Sequence, residues 1–205
     1  VLISFTGIDT ILPFVIGALV LAIATIPIFF VKDENIEGED EDPLSVIGFI
    51  RKAPILLIAV GMFAVIDAAN LSFLPVYGVK KGLDQATASL ALTAFIVGNT
   101  VLQFPIGWLA DHFRKRWVMA GCGVVTACAS ALIPLSFETW AFWPLLTITG
   151  AASAGIYTVS LAELGERFSG HELVTGTASF STTWGLGALL GSLIAGWSMH
   201  SIGAE

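Results

Sequence analysis

Charge is scarce in this sequence. Only 12% of its 205 residues are Asp, Glu, Lys or Arg, where a soluble domain carries about a quarter. Apolar residues make up 56% and the mean hydropathy is +0.87. A water-soluble core cannot hide that much apolar surface in a chain of this length, so lipid must serve as part of the solvent. Basic stripes are lacking too. The formal charge is −7, and residues 32–43 alone hold seven carboxylates and one lysine, leaving the rest nearly neutral. With no cationic surface to neutralise phosphates, nucleic acid is excluded as a partner.

Cysteine is almost absent. Cys122 and Cys128 sit six residues apart on one apolar stretch, which places them on different faces of a helix and suits neither a disulfide nor a metal clip. No metal and no cofactor is expected. A membrane-embedded enzyme needs convergent His, Asp, Glu or Cys groups at membrane depth, and only Asp67 lies there. The expectation is therefore no enzyme and no catalytic residue. No charged leader precedes the first apolar run, which opens at Val1, so a signal peptide is not expected and the chain reads as cut from a longer parent.

What the sequence has is long apolar runs. About 20 apolar residues cross a bilayer, and six runs qualify: Thr10–Phe30, Pro54–Tyr77, Thr87–Ala110, Trp117–Phe137, Trp140–Ala162 and Leu173–Met199. The fold class expected is an all-α, polytopic helical bundle of about six transmembrane helices. Residues 1–31 form the first span, and 32–53 an acidic linker with a short amphipathic segment, Leu44–Lys52, suited to a membrane surface. Residues 54–205 hold the remaining five spans. Counting alternate loops, Lys32, Arg51, Lys52, Arg114, Lys115, Arg116 and Arg167 fall on one side, and only Lys80 and Lys81 on the other. The excess of cations marks the cytoplasmic side, so the linker and loops 111–116 and 163–172 are expected there, in a cell inner or plasma membrane. Trp117, Trp140, Trp143 and Trp197 stand near span ends, where amphipathic rings anchor at the interface.

Asp67 lies near the middle of the second span. A charge at the bilayer centre costs at least a few kcal/mol, so its carboxyl must face a polar cavity or a partner. A group of that kind can carry a coupling proton or serve as a buried structural acid. Asn70 shares its helix face at i+3. Asn99 and Gln103, at i and i+4 on the third span and followed by Pro105, should also point inward, to bind substrate or to join helices. Tyr157, with Thr147, Thr149 and Ser153 on the fifth span, is a weaker cavity candidate or an interfacial aromatic.

The segment Gly107-Trp-Leu-Ala-Asp111-His112-Phe-Arg114-Lys115-Arg116, between the third and fourth spans, resembles the G-x-L-a-D-r-x-G-r-r signature of the major facilitator superfamily. His112 stands where the family usually has Arg or Lys, and Arg114 where it usually has Gly. An unperturbed histidine titrates near 6.5, so His112 would make the charge of this loop depend on pH. In the last span, Gly187-Ala-Leu-Leu-Gly191-Ser-Leu-Ile-Ala195-Gly196 is similar to the family's G-x-x-x-G-P-x-x-G-G pattern, with Ser192 for the proline and Ala195 for a glycine. Gly187, Gly191 and Gly196 also suit plain close packing of helices.

The resemblance implies helices 6–11 of a twelve-helix transporter, without its first five helices and its last, and the tone looks most like the bacterial YcaD-like branch. It implies that the second, third, fifth and sixth spans form the bundle, with the first and fourth outside them. It further implies a gate in which Asp111 pairs with basic residues and with a helix N-terminus of the missing N-terminal half. Arg114, Arg116, Glu163 and Arg167 are the nearby charges. The expected function is secondary active transport of a small solute, with proton coupling through Asp67 an open addition. The expected partners are the lipid bilayer, an unidentified small solute and protons. The alternative is a non-transporting helical scaffold or sensor.

Overall fold

A computed structural model describes residues 12–25 and 46–201. The chain divides into two compact units, Val1–Glu39 and Asp40–Glu205. In the first, α1 (Leu12–Thr25) is the described part of the predicted span Thr10–Phe30. The acidic run 32–43 lies outside the described residues. In the second unit α2 (Val46–Lys52) is followed by α3 (Pro54–Lys80), α4 (Gln85–Val101), α5 (Gln103–His112), α6 (Lys115–Ser136), α7 (Phe142–Arg167) and α8 (Gly170–Ser201). Among the described residues, five helical stretches are long and apolar enough to cross a membrane: Pro54–Lys80, Gln85–His112, Lys115–Ser136, Phe142–Arg167 and Gly170–Met199. They coincide with the second to sixth predicted spans.

Their ends differ from expectation. α7 runs on to Arg167 and α8 starts at Gly170, so residues 163–172 are mostly the ends of two helices and not a loop. Hydropathy marks the part of a helix in contact with hydrocarbon, whereas helix hydrogen bonding continues into the polar region. The predicted span Thr87–Ala110 is also interrupted. Leu102, with φ −83° and ψ 2°, separates α4 from α5. Pro105 brings no N–H, so the Val101 carbonyl loses its helical donor and the ladder weakens there.

The amphipathic segment docks on the bundle. Phe49 of α2 is fully buried among Leu56, Leu57, Leu164 and Phe180, and its ring meets that of Phe168 at 5.0 Å. A Cβ at Gly176 would come within 2.8 Å of Phe49 Cζ, so the glycine on α8 leaves room for this ring.

Three pairs of helices organise the unit, α3 with α8, α4 with α7 and α6 with α7, and α3 also touches α4 and α7. The first two pairings rest on glycine. A Cβ on Gly98 would run into the Thr147 carbonyl, and one on Gly150 into the Phe95 carbonyl, so α4 and α7 cross backbone to backbone. On α8, a Cβ at Gly187 would lie 2.7 Å from the Gly61 carbonyl oxygen, one at Gly191 would strike Val65, and one at Gly196 would reach Phe73 at 3.3 Å. All three therefore face α3. Between apolar helices in lipid, close approach of small residues supplies the dispersion contact that holds them together. α7 is buried continuously from Thr149 to Ile156, with α6 packed along it as extensively as α4 and only lightly on α5.

The α3–α4 turn is tightly defined. Leu83 N–H donates to Gly78 and Gly82 N–H to Val79, with Gly82 at φ 97°; this double closure with a left-handed glycine ends a helix firmly. Asp84 then caps α4, accepting from Ala86 N–H at 3.1 Å and Thr87 N–H at 3.2 Å. Thr87, through its hydroxyl and its backbone N–H, and Ala86 hold the Asp84 carboxyl below the usual carboxylate range.

Candidate functional site

Asp67 lies in the middle of α3 and is only 6% exposed. Asn99 on α4 donates from Nδ2 to Asp67 Oδ1 at 3.3 Å. Asn99 is drawn into a longer chain. Its backbone carbonyl accepts from Gln103 Nε2 at 2.8 Å, across the interruption at Leu102. Gln103 Nε2 also reaches the Ala151 carbonyl of α7 at 3.5 Å, and Gln103 Oε1 accepts from Thr158 Oγ1 at 2.6 Å. Neutral hydrogen bonds thus link α7 to α5, α5 to α4, and α4 to a carboxylate carried by α3.

The sequence-derived candidates separate here. Asp67, Asn99 and Gln103 come together. Asn70 does not join them; its Nδ2 donates to Ile66 of its own helix at 2.8 Å. Tyr157 packs its ring on Phe63 with centroids 5.4 Å apart, inside an apolar cluster with Ala154 and Ile156. Thr158 was missed. Its type gave no signal, because Thr126, Thr147, Thr149, Ser153 and Ser160 bond carbonyls three or four residues back in their own helices. Only its position opposite the interrupted span distinguishes it.

At the end of the unit carrying the α5–α6 turn, charges line a groove of about 930 Å³ that includes Asp111, Arg114, Arg116, Glu163 and Arg167. Glu163 pairs with Arg167, Lys52 with Glu172, and Lys115 with Glu166 at 2.5 Å. Among the described residues Asp111 makes no ion pair, so Arg114, Arg116 and Arg167 do not hold it here. His112 donates from Nδ1 to the Trp108 carbonyl at 2.9 Å and stacks on that indole at 4.2 Å. A Cβ at Gly107 would meet nothing within 4 Å, so this glycine has no packing role among the described residues.

An apolar groove of about 540 Å³ lies beside Pro105 and Trp117, and one of about 670 Å³ lies between α3 and α6, apolar along most of its lining but with Lys52, Arg116, Glu163 and Arg167 among its residues. Asp67 lines neither, and the polar chain is the better candidate site.

Five apolar helices packed through small residues around one buried carboxylate define a multi-pass membrane protein. The sequence pattern of the Major Facilitator Superfamily matches residues 79–205, and the chain belongs to that family. It is 24% identical over 198 residues to the uncharacterized MFS-type transporter YfkF of Bacillus subtilis, covering 93% of this chain and 50% of that protein. It is 25% identical over 198 residues to the uncharacterized MFS-type transporter YcaD of Shigella flexneri, covering 96% and 50%. With YcaD of Escherichia coli the identity is 26% over 188 residues, covering 91% and 48%. The chain spans about half the length of the curated relatives it matches. No solved structure matches it.

Proposed function

We propose that the full-length protein is a secondary active transporter that moves a small solute by alternating access, with Asp67 as its proton-coupling group. The observation that carries this reading is a carboxylate buried in mid-span and bonded to an amide on the neighbouring helix. An ionisable group at that depth is costly to keep charged and is by default a functional group. Carriers of this kind bind at the membrane midplane and rock two halves around the site.

The apolar runs Pro54–Tyr77, Thr87–Ala110, Trp117–Phe137, Trp140–Ala162 and Leu173–Met199 hold no lysine or arginine, so a neutral or cationic solute fits better than an anion. Asp111 and the cations of the α5–α6 turn face the other half of the protein, on the cytoplasmic side by the distribution of Lys and Arg. They bias one state of the cycle by pairing across the two halves. Gly187, Gly191 and Gly196 keep α8 against α3 throughout.

The test uses the full-length protein in liposomes. Radiolabelled neutral and cationic solutes are screened for uptake, and the solute taken up is followed with and without an imposed pH gradient. Asp67→Asn keeps the size and hydrogen bonding of the side chain but cannot carry a proton. It should abolish gradient-driven accumulation while downhill exchange continues. Unchanged accumulation would remove Asp67 from coupling. A wild-type protein that takes up no solute would favour a helical scaffold or sensor.

A further inference from the structure

The hydrogen bonds that end on Asp67 all point the same way. Thr158 Oγ1 donates to Gln103 Oε1, Gln103 Nε2 donates to the Asn99 carbonyl, and Asn99 Nδ2 donates to Asp67 Oδ1. The two backbone carbonyls fix the amide. A carbonyl only accepts, so the Nε2 end must face Asn99 and Ala151, which leaves Oε1 to accept from the Thr158 hydroxyl. Gln103 also stands just beyond Leu102, where the third span changes from α4 to α5, and its side chain closes the last turn of α4 onto Asn99. Asn99 takes part in the last two bonds through separate groups, its backbone carbonyl and its side-chain amide, so it is held by α5 on one side and by Asp67 on the other, and its position links the two. A carboxylate is a far stronger acceptor than the neutral acid.

We infer that Thr158 and Gln103 are positioning residues that tie the protonation of Asp67 to movement of α5 against α7 at the interruption in the third span. With Asp67 charged, Asn99 is held firmly, and through Gln103 it keeps α5 against α7. Once Asp67 takes up a proton, its hold on Asn99 weakens, the last turn of α4 loosens and α5 can pivot about Leu102. The interruption is the natural hinge, since Pro105 already removes one bond there. The inference rests on the reading of Asp67 as the coupling group.

Other titratable groups packed near α3 do not provide this link. α4 and α5 carry none between Gln85 and Ala110, and the charged groups of α2, α7 and α8 sit at the charged end. Tyr157 and Cys122 lie nearest the depth of Asp67 among the residues facing α3, both in the cluster around Phe63, one turn away.

The experiment needs no substrate. Full-length protein in nanodiscs carries spin labels at Leu109 on α5 and Leu161 on α7, both exposed, and their distance distribution is measured at pH 8 and pH 5. The unsubstituted protein should shift between the two. Asp67→Asn should show the pH 5 distribution at both values. Thr158→Val, which keeps the shape and removes the donor, should do the same, and Thr158→Ser should restore the shift. Thr158→Ala takes its place should the valine variant not insert.

A Thr158 variant that shifts like the unsubstituted protein, beside an Asp67→Asn variant that does not, overturns this inference and leaves Asp67 in place. If Asp67→Asn itself shifts normally, the coupling role of Asp67 falls and this inference with it. A protein that shows no shift between the two pH values also overturns it.

Discussion

Two sets of carboxylates among the described residues live under different regimes. Asp67 is buried in mid-span with an amide, not a cation, as its partner, while Glu163, Glu166 and Glu172 at the charged end each sit against a lysine or arginine. The difference follows from solvation. Near water an ion pair is easily formed and adds little, because each charge is already well hydrated. In mid-span, burying a second charge would add its own desolvation, so neutral donors satisfy the carboxylate more cheaply. Charge at the end is therefore exchangeable. The charge in the middle is committed to one set of partners.

That contrast predicts an order of effects. Gln103→Leu should be the most damaging to stability, because it removes three hydrogen bonds. At roughly 0.6 to 1.7 kcal/mol for each bond between helices in a membrane, a loss of about 2 kcal/mol is expected, read as an earlier unfolding midpoint in a detergent titration. A midpoint equal to that of the unsubstituted protein would mean that the polar chain has little hold on the bundle.

Lys52→Ala breaks the pair with Glu172, in which the two side chains are 42% and 30% exposed. Its effect should stay below about 1 kcal/mol and shrink as salt rises, since screening at 0.15 M ionic strength acts over about 8 Å. A larger, salt-independent loss would erase the distinction between the two regimes.

Asp84→Ala tests a carboxylate that belongs to neither group. It is exposed but bonds backbone N–H groups. Its folded-state carboxyl titrates below the usual range, so the cap contributes fully at neutral pH and is lost as pH falls through that lowered value. Faster amide exchange at Ala86 and Thr87 is expected in the variant at neutral pH only. Protected amides there at pH 7 would show that the cap is dispensable.

Most of the architecture was legible because an apolar run of about 20 residues has few other fates. The second to sixth spans were visible on that ground alone. Helix ends were not, since Glu163, Glu166 and Arg167 are polar residues on the last turns of α7 and lower the hydropathy without ending the helix. The interruption at Leu102 was only half visible: Pro105 marks the lost bond, but a kinked helix and a straight one read alike in hydropathy.

At the candidate site, Asp67, Asn99 and Gln103 stood out as polar groups out of place in a membrane. Their mutual contact depends on how α3, α4 and α7 cross, which periodicity does not give. Asn70 shows the same limit from the other side. It occupies the expected face, yet its amide is satisfied by the Ile66 carbonyl within its own helix.

The short α3–α4 turn has a bearing on which sequence changes the protein can tolerate. The glycine stop at Gly82 and the cap at Asp84 set the register in which Asp67 and Asn99 meet. A single inserted residue would have to be absorbed within this turn or passed into α4. In the second case α4 would slide by about 1.5 Å and rotate by about 100°, carrying Asn99 away from Asp67. Residues in the turn can therefore be exchanged more freely than its length. A deletion or insertion between Lys80 and Gln85 would change the site from 17 residues away along the sequence of α3 and α4, as counted from Asp67 to Asp84, without altering any residue of the site itself.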